Sequence, residues 1–210
     1  MWLLKDYKNE FSDKYLSSIY VSENMGIIIA ITGGSGVIYG IKLIESLNLL
    51  KFETHLVISE WGEKTIKIET NLDINYVKKL STSWYDNKNM AAPISSGSFK
   101  TDGMVIIPCS MKTLASIANG LDDSLISRAA SVCIKENRKL VVVPRETPLS
   151  KIHLENMVKL SELGVSILPA MPGFYFHPST IDELLFHIVG KVLDQFNIEN
   201  NMFTRWGVKK

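Results

Sequence analysis

The chain has 210 residues, of which 46% are hydrophobic and 21% charged, and this composition predicts one globular domain with a substantial core. The net charge of +1 excludes a general electrostatic attraction to nucleic acid or to a membrane surface. Cys109 and Cys133, the two cysteines, indicate no disulfide framework and favour a cytoplasmic setting. No apolar run has membrane-spanning length, and charges interrupt residues 1–25 too often for a signal peptide.

Residues 1–24 are predicted to be an N-terminal extension. They are either an added helix that docks on the body or a segment upstream of a natural start at Met25, which directly precedes the first strand-like run. We expect little chemistry from this extension. Residues 25–210 show no internal repeat and no linker, so we interpret them as one domain.

The domain begins with an uninterrupted apolar run, residues 26–31, which leads into a cluster of glycines. A run without polar alternation predicts a parallel strand covered on both faces. Gly33, Gly34 and Gly36 allow close backbone approach, and a helical pattern follows them. This strand–loop–helix unit favours a phosphate at the helix N-terminus, with a tight turn that binds no ligand as the alternative. Gly40 comes one place late for a dinucleotide-binding fingerprint, and the lysine of a P-loop is missing.

Further along the chain, apolar runs alternate with helical periodicities. Strands are predicted at 55–59, 104–108, 140–143 and 165–168, and helices at 61–69, 114–118, 126–133, 153–163 and 181–192. Residues 71–103 lack periodicity, so we expect a long loop there, either functional or a plain surface loop. The alternation predicts an α/β fold: a doubly wound, mostly parallel sheet, Rossmann-like or flavodoxin-like, with helices on both faces.

The carboxyl ends of the predicted strands carry hydroxyl and charged residues, and ligands bind at these ends in such sheets. Arg145 follows a buried strand and a proline, where a guanidinium can bind a phosphate through two hydrogen bonds. Glu146 beside it is a candidate proton acceptor if burial raises its pKa, and a local ion pair between the two is the alternative. The aromatic loop 173–178 and Trp206 are candidates for stacking on a planar ligand, with a place in the core as the alternative.

Other reactive side chains give weaker signals. Cys109 is interpreted as a buried strand-end residue rather than a nucleophile, because no base is paired with it. The four histidines lack metal-ligand spacing, so we predict no metal site.

Several motifs point to one family when they are taken together. They are Thr-Gly-Gly-Ser-Gly-Val-Ile-Tyr-Gly (32–40), Leu-Ala-Ser-Ile-Ala-Asn-Gly (114–120), Val-Pro-Arg-Glu-Thr-Pro (143–148), Leu-Pro-Ala-Met-Pro-Gly-Phe-Tyr (168–175) and Arg-Trp-Gly (205–207). Over about residues 26–207 the chain resembles the flavin prenyltransferases of the UbiX type. The resemblance implies that a dimethylallyl group from dimethylallyl phosphate, or the pyrophosphate in some members, is joined to N5 and C6 of reduced FMN. It also implies a metal-independent homo-oligomer, commonly a dodecamer, whose product serves a UbiD-type decarboxylase.

The resemblance further implies roles for residues at the matching positions. FMN would contact Gly33, Gly34, Ser35, Ser59, Ser110, Met111, Lys112, Thr113 and Arg145. The allylic phosphate would contact Arg128, Lys135, Tyr175 and Lys191. Catalytic roles would fall to Glu69, Glu146, Ser35 and Trp206. Asn89 departs from the pattern, because an aromatic residue is expected before Met-Ala-Ala-Pro at one wall of the allyl pocket.

Two other functions stay open at this point. A related FMN-dependent cysteine decarboxylase would share the sheet, but no histidine occurs between residues 65 and 103, where that group carries its catalytic histidine. A non-catalytic flavin carrier would not need Glu69, Glu146 or a separate phosphate site at Lys135 and Lys191.

Overall fold

The computed structural model describes residues 25–207, in which helices cover both faces of a parallel sheet. The strands are β1 (Ile27–Ile31), β2 (Thr54–Ile58), β3 (Ser83–Asp86), β4 (Gly103–Cys109), β5 (Lys139–Pro144) and β6 (Ser166–Ile167). The helices are α1 (Val37–Leu49), α2 (Glu60–Glu69), α3 (Ile74–Lys79), α4 (Met111–Ala118), α5 (Leu125–Lys135), α6 (Lys151–Glu162) and α7 (Ile181–Gln195). The extension predicted for residues 1–24 lies outside the described residues.

The strand order is β3-β2-β1-β4-β5-β6, and every neighbouring pair is parallel. The chain winds outward from β1 to β3, then crosses to β4 and winds outward in the other direction. The order therefore reverses between β1 and β4, and ligands bind in the crevice at such a switch point. This topology confirms the predicted doubly wound α/β fold.

The core lies on both faces of the sheet, because alternate residues of β1 point to opposite sides. Ile27, Ile29 and Ile31 pack with α1, α2, α3 and α7, whereas Ile28 and Ala30 pack with α4, α5 and α6. All five residues are at most 2% exposed. Burial on both faces explains why this strand carries no polar alternation.

The prediction of a long loop over residues 71–103 is wrong. The segment contains α3, the edge strand β3 and a single 3₁₀ turn (Pro93–Ser95). Ala92 and Ile94 are at most 2% exposed, so the alternative of a plain surface loop is also wrong. The guanidinium of Arg138 donates to the carbonyl oxygens of Gly97 and Phe99 (2.7 Å for Phe99), which ties this segment to the end of α5.

Candidate active site

Thr32 fastens the carboxyl ends of β1 and β4 to each other. Its hydroxyl donates to the carbonyl oxygen of Pro108 (2.8 Å) and accepts from the backbone N–H of Ser110 (2.8 Å). Thr32 is 1% exposed, and the hydrogen bond to Pro108 is buried, whereas the one from Ser110 is partly buried. The clamp fixes the floor of the crevice at the switch point.

Two serine-capped helices open onto this crevice. The Ser59 hydroxyl accepts from Gly62 N–H (3.0 Å) at the start of α2, and the Ser110 hydroxyl accepts from Thr113 N–H (3.4 Å) at the start of α4. The backbone N–H of Ser59 donates to the carbonyl oxygen of Ile31 (3.0 Å), and Thr32 bonds to Ser110. Both helices therefore start beside the end of β1. The positive ends of two helix dipoles therefore converge there, which favours an anion. Along this edge the structure places seven partly exposed residues of the predicted FMN site: Gly33, Gly34, Ser35, Ser59, Ser110, Met111 and Thr113.

The N-terminus of α1 already holds an anionic group from the chain itself. Glu69 Oε2 accepts from the N–H groups of Gly36 (2.8 Å) and Val37 (3.2 Å). In this structure Glu69 therefore caps the first N–H groups of α1, and the phosphate site predicted there stays a prediction. The cap is a long-range contact, since the last residue of α2 reaches back to the glycine loop. A Cβ atom at Gly33 would lie 2.6 Å from Cβ of Trp61, which shows how closely α2 approaches that loop.

Arg145 and Glu146 stand exposed just beyond the end of β5. Glu146 Oε1 accepts from the N–H of Thr147 (3.1 Å), and within residues 25–207 no ion pair joins Arg145 to Glu146. The alternative of a local ion pair is therefore wrong. Arg145 interacts electrostatically with Tyr39 on α1. Burial raises the pKa of the Tyr39 phenol, and the positive charge of Arg145 partly opposes this rise. Arg145 thus adds positive potential to the crevice without an ion-pair partner among the described residues.

One face of α7 holds the two segments that carry the predicted aromatic residues. The N–H of Gly173 donates to His187 Nδ1 (3.4 Å), and Arg205 donates to both carboxylate oxygens of Asp194 (3.0 and 2.7 Å). Lys191 lies between these anchors, one turn from each, with Nζ 3.9 Å from Asp194 Oδ2. The spacing i, i+4, i+7 places all three α7 residues on the same face.

Tyr175 and Trp206 meet edge to face in front of α7, with ring centroids 5.3 Å apart. Trp206 is 80% exposed and Tyr175 38%, so the alternative of a place in the core is wrong for both. The loop that carries Tyr175 starts beside Arg145, because Ala170 N–H donates to the carbonyl oxygen of Pro144 (3.4 Å). Tyr175, Trp206 and Lys191 therefore border the same end of the sheet as Arg145.

Arg128 and Lys135 do not join this group within one chain. Arg128 donates to Asp122 (3.0 Å), and Lys135 pairs with Glu136 (2.6 Å) at the end of α5. Lys135 precedes β5, whose six residues span roughly 20 Å from the amino to the carboxyl edge of the sheet. The structure therefore separates Lys135 from Tyr175 and Lys191, with which the resemblance groups it, whereas Arg128 is held by Asp122 near the start of α5.

A cleft of about 620 Å³ opens beside the ends of β2 and β3, lined by Trp84, Asp86, Lys112 and Asp123 among others. Of the residues predicted to bind ligands, only Lys112 lines it, and its ammonium pairs with Asp123 (2.7 Å). Since Lys78 on the opposite wall is paired with Glu63 (2.8 Å), the cleft offers a phosphate less net positive charge than the crevice at β1 and β4.

Cys109 is fully buried at the end of β4, as the sequence predicts. Burial raises the pKa of its thiol to about 12, which disfavours the thiolate. Residues 25–207 contain no cluster of histidine, cysteine and acidic side chains able to hold a metal ion.

The architecture and these residues match proteins of known family. The Flavoprotein family model matches residues 17–192. A probable UbiX-like flavin prenyltransferase from Sedimentibacter hydroxybenzoicus is 51% identical over 183 residues, which cover 87% of this chain and 97% of the relative. The chain belongs to the UbiX-like flavin prenyltransferase family.

Solved structures of the family have the same fold. The crystal structure of AnUbiX (PadA1) in complex with FMN and dimethylallyl pyrophosphate superposes with a TM-score of 0.87 at 46% identity, covering 89% of this chain and all of the other. A dodecameric FMN-dependent UbiX-like decarboxylase from Escherichia coli O157:H7 gives a TM-score of 0.84 at 49% identity, covering 88% and 100%. The peptidyl-cysteine decarboxylase EpiD, at 18% identity and a TM-score of 0.59, shares the fold alone. These matches confirm the family predicted from the motifs.

Proposed function

We propose that this chain transfers a dimethylallyl group from dimethylallyl phosphate to N5 and C6 of reduced FMN. The allylic carbon–oxygen bond breaks and phosphate leaves as the carbon–nitrogen bond to N5 forms, and N5 loses its proton. The carbon–carbon bond to C6 then consumes the allylic double bond, which takes up a proton while C6 loses one. The observation that carries the proposal is the convergence of two serine-capped helix ends, Arg145 and an exposed aromatic pair at one edge of the sheet. The relative AnUbiX, crystallised with FMN and dimethylallyl pyrophosphate, supports this choice of ligands.

The N-terminus of α4 fits the phosphate of FMN. Ser110 and Thr113 present hydroxyl groups 3.1 Å apart there, and the first N–H groups of a helix have no partner inside it. The N-terminus of α1 is less suited, because Glu69 occupies it. We therefore place the FMN phosphate between α4 and Ser59, with the ring system extending towards Arg145.

The second, smaller phosphate fits beside Tyr175 and Lys191. The ammonium of Lys191 is exposed, and its charge would attract a phosphate at the end of the sheet where Arg145 also stands. The rings of Tyr175 and Trp206 would face the allyl group, whose positive charge grows as phosphate departs. An aromatic face stabilises such a cation, by about 0.5–2 kcal/mol per contact.

Proton transfer is assigned to carboxylates at the same edge. Each bond formed on the flavin displaces a proton from it, so an acceptor is needed near N5 and C6. Glu146 is exposed next to Arg145 and is the main candidate. Glu69 is a second candidate, since its bonds to Gly36 and Val37 hold it beside Ser35.

We infer that Arg128 and Lys135 reach the phosphate site from a second copy of the chain. Within one chain Lys135 lies at the amino edge of the sheet and Arg128 is paired with Asp122, and the Escherichia coli relative is dodecameric. We therefore propose a homo-oligomer in which neighbouring chains complete one another's sites.

Within residues 25–207 no helix has the length and hydropathy needed to cross a bilayer. We further propose that the product serves a UbiD-type decarboxylase in the cytoplasm.

The test is anaerobic incubation of the purified full chain with reduced FMN and dimethylallyl phosphate, followed by mass spectrometry of the flavin. The proposal predicts a flavin heavier by one prenyl unit, and parallel reactions with the pyrophosphate identify the preferred donor. Bound FMN of unchanged mass with both donors would support a flavin carrier instead. Decarboxylation of a cysteine-terminated peptide, without prenylation, would support the other alternative.

A further inference from the structure

His187 is a buried titratable residue to which the proposed reaction gives no role. It lies in the middle of α7, is 7% exposed, and is surrounded by three aromatic rings. Phe176 stacks on it (centroids 5.3 Å apart, planes 15° apart), while Phe203 and Tyr175 meet it edge to face at 4.8 and 5.9 Å. A phenylalanine would satisfy this packing, so the imidazole has to be explained by its nitrogen atoms.

The imidazole nitrogen anchors the loop that carries Tyr175. Gly173 N–H donates to His187 Nδ1 at 3.4 Å. The Tyr175 ring folds back over Gly173: a Cβ atom there would lie 3.0 Å from Tyr175 Cε1. A bond from His177 N–H to the carbonyl oxygen of Phe174 (3.0 Å) closes the turn. His187 thus contacts the backbone at the start of the turn and the side chains that project from it.

Trp206 depends on the same arrangement, because Tyr175 lies between it and His187. Tyr175 touches both rings edge to face, at 5.3 Å and 5.9 Å. Displacing Tyr175 would therefore remove the neighbour against which the 80%-exposed Trp206 rests.

We propose that His187 is a positioning residue that sets where Tyr175 and Trp206 stand against the allylic ligand. The assignment rests on the proposed prenyl transfer. It requires a neutral ring with the proton on Nε2, since only an unprotonated Nδ1 accepts from Gly173. Burial first, and then the charge of Lys191 one turn along α7, lower the pKa of His187 and keep the ring neutral.

The test compares His187→Phe, which keeps the ring but removes the acceptor, with His187→Asn, whose amide oxygen can replace Nδ1. His55→Phe is the matched control, because His55 is also buried against aromatic rings but lies at the amino end of β2. Amide hydrogen exchange over residues 173–177 and the KM for dimethylallyl phosphate are measured for each. In His187→Phe we expect about tenfold faster amide exchange at Gly173 and about a tenfold higher KM, with unchanged FMN affinity. His187→Asn should restore the wild-type exchange rate and KM. His55→Phe should change neither quantity.

A second variant tests the same geometry without altering α7. Gly173→Ala places a methyl group against the Tyr175 ring, so it should raise the KM in the same way even if His187→Phe does not fold. The proposal is overturned if both variants keep the wild-type KM, or if exchange rises in His187→Phe while its KM does not. An equal effect in His55→Phe would also overturn it, because the change would then be general loss of stability. Failure of the proposed function is a separate result, recognised by a wild-type chain that makes no prenylated flavin.

Discussion

Replacing Thr32 with valine should weaken both the fold and FMN binding, because it removes the clamp between β1 and β4 without changing side-chain shape. The N–H of Ser110 loses its acceptor in a partly buried position, which costs about 1–3 kcal/mol. The carbonyl oxygen of Pro108 keeps its bond from Thr32 N–H (3.2 Å), so its loss is smaller, about 0.5–1 kcal/mol. The added methyl group returns about 0.8 kcal/mol. The net expectation is a decrease of about 2 kcal/mol in the free energy of unfolding.

The assay is chemical denaturation at fixed protein concentration together with FMN titration. Thr54→Val is the matched control: Thr54 is 1% exposed and accepts from Thr82 N–H (3.1 Å) at the amino end of β2. Both variants should lose stability, but only Thr32→Val should weaken FMN binding, by about fivefold to tenfold, because Ser110 starts the helix assigned to the phosphate. Unchanged FMN affinity in Thr32→Val would refute the link between the clamp and the phosphate site.

Three further predictions concern the predicted ligand contacts and the C-terminal anchor. Arg145→Ala should raise the KM for the allylic phosphate by about tenfold or more in steady-state kinetics, since a charge-assisted hydrogen bond contributes about 1.5–3 kcal/mol; an unchanged KM would remove Arg145 from the site. Glu146→Gln should bind FMN normally but form product about 10²-fold more slowly in single-turnover reactions, and full activity would exclude it as the proton acceptor. Burial alone would raise the pKa of Asp194, but hydrogen bonds from Arg205 and Asn200 lower it below its usual value. The Asp194–Arg205 ion pair therefore stabilises the fold above about pH 4 and contributes less as the pH falls. Wild type should accordingly be more stable than Asp194→Asn at pH 7 in denaturation curves, with a difference that shrinks below pH 4; a constant difference would contradict this reasoning.

The central strands were predictable from the sequence because they are buried on both faces. β1 and β4 read as unbroken apolar runs, and burial leaves no room for polar residues there. β3 was missed for the opposite reason. It is an edge strand of four residues, Ser83–Asp86, with alternating exposure and a single neighbouring strand, so its sequence resembles that of a loop.

The candidate site was predictable where chemistry follows directly from a strand end. Ser59, Ser110 and Arg145 belong to this class, since parallel strands place their carboxyl ends at one edge. The capping of α1 by Glu69 was not predictable, because the tertiary fold brings together residues that are 33 positions apart in the sequence. Nor does the sequence show that Lys135 and Arg145 lie at opposite ends of β5 within one chain.

His187 and Asp194, the residues of α7 that bind the two aromatic segments, form part of a recognisable sequence pattern, although helical periodicity alone did not single them out. His187 and Asp194 flank Lys191 at helical spacing, so these three polar residues lie along one face of α7. Such a stripe indicates that this face contacts polar groups of other segments. Which segments these are, residues 173–176 and 205–206, depends on the tertiary path of the chain.

A crystal structure with FMN and dimethylallyl phosphate bound tests the central claim most directly. We expect the FMN phosphate at the start of α4, between Ser59 and Ser110, and the allylic phosphate at Lys191 and Tyr175. FMN in the cleft beside β2 and β3, or its phosphate on α1 in place of the Glu69 carboxylate, would contradict this expectation.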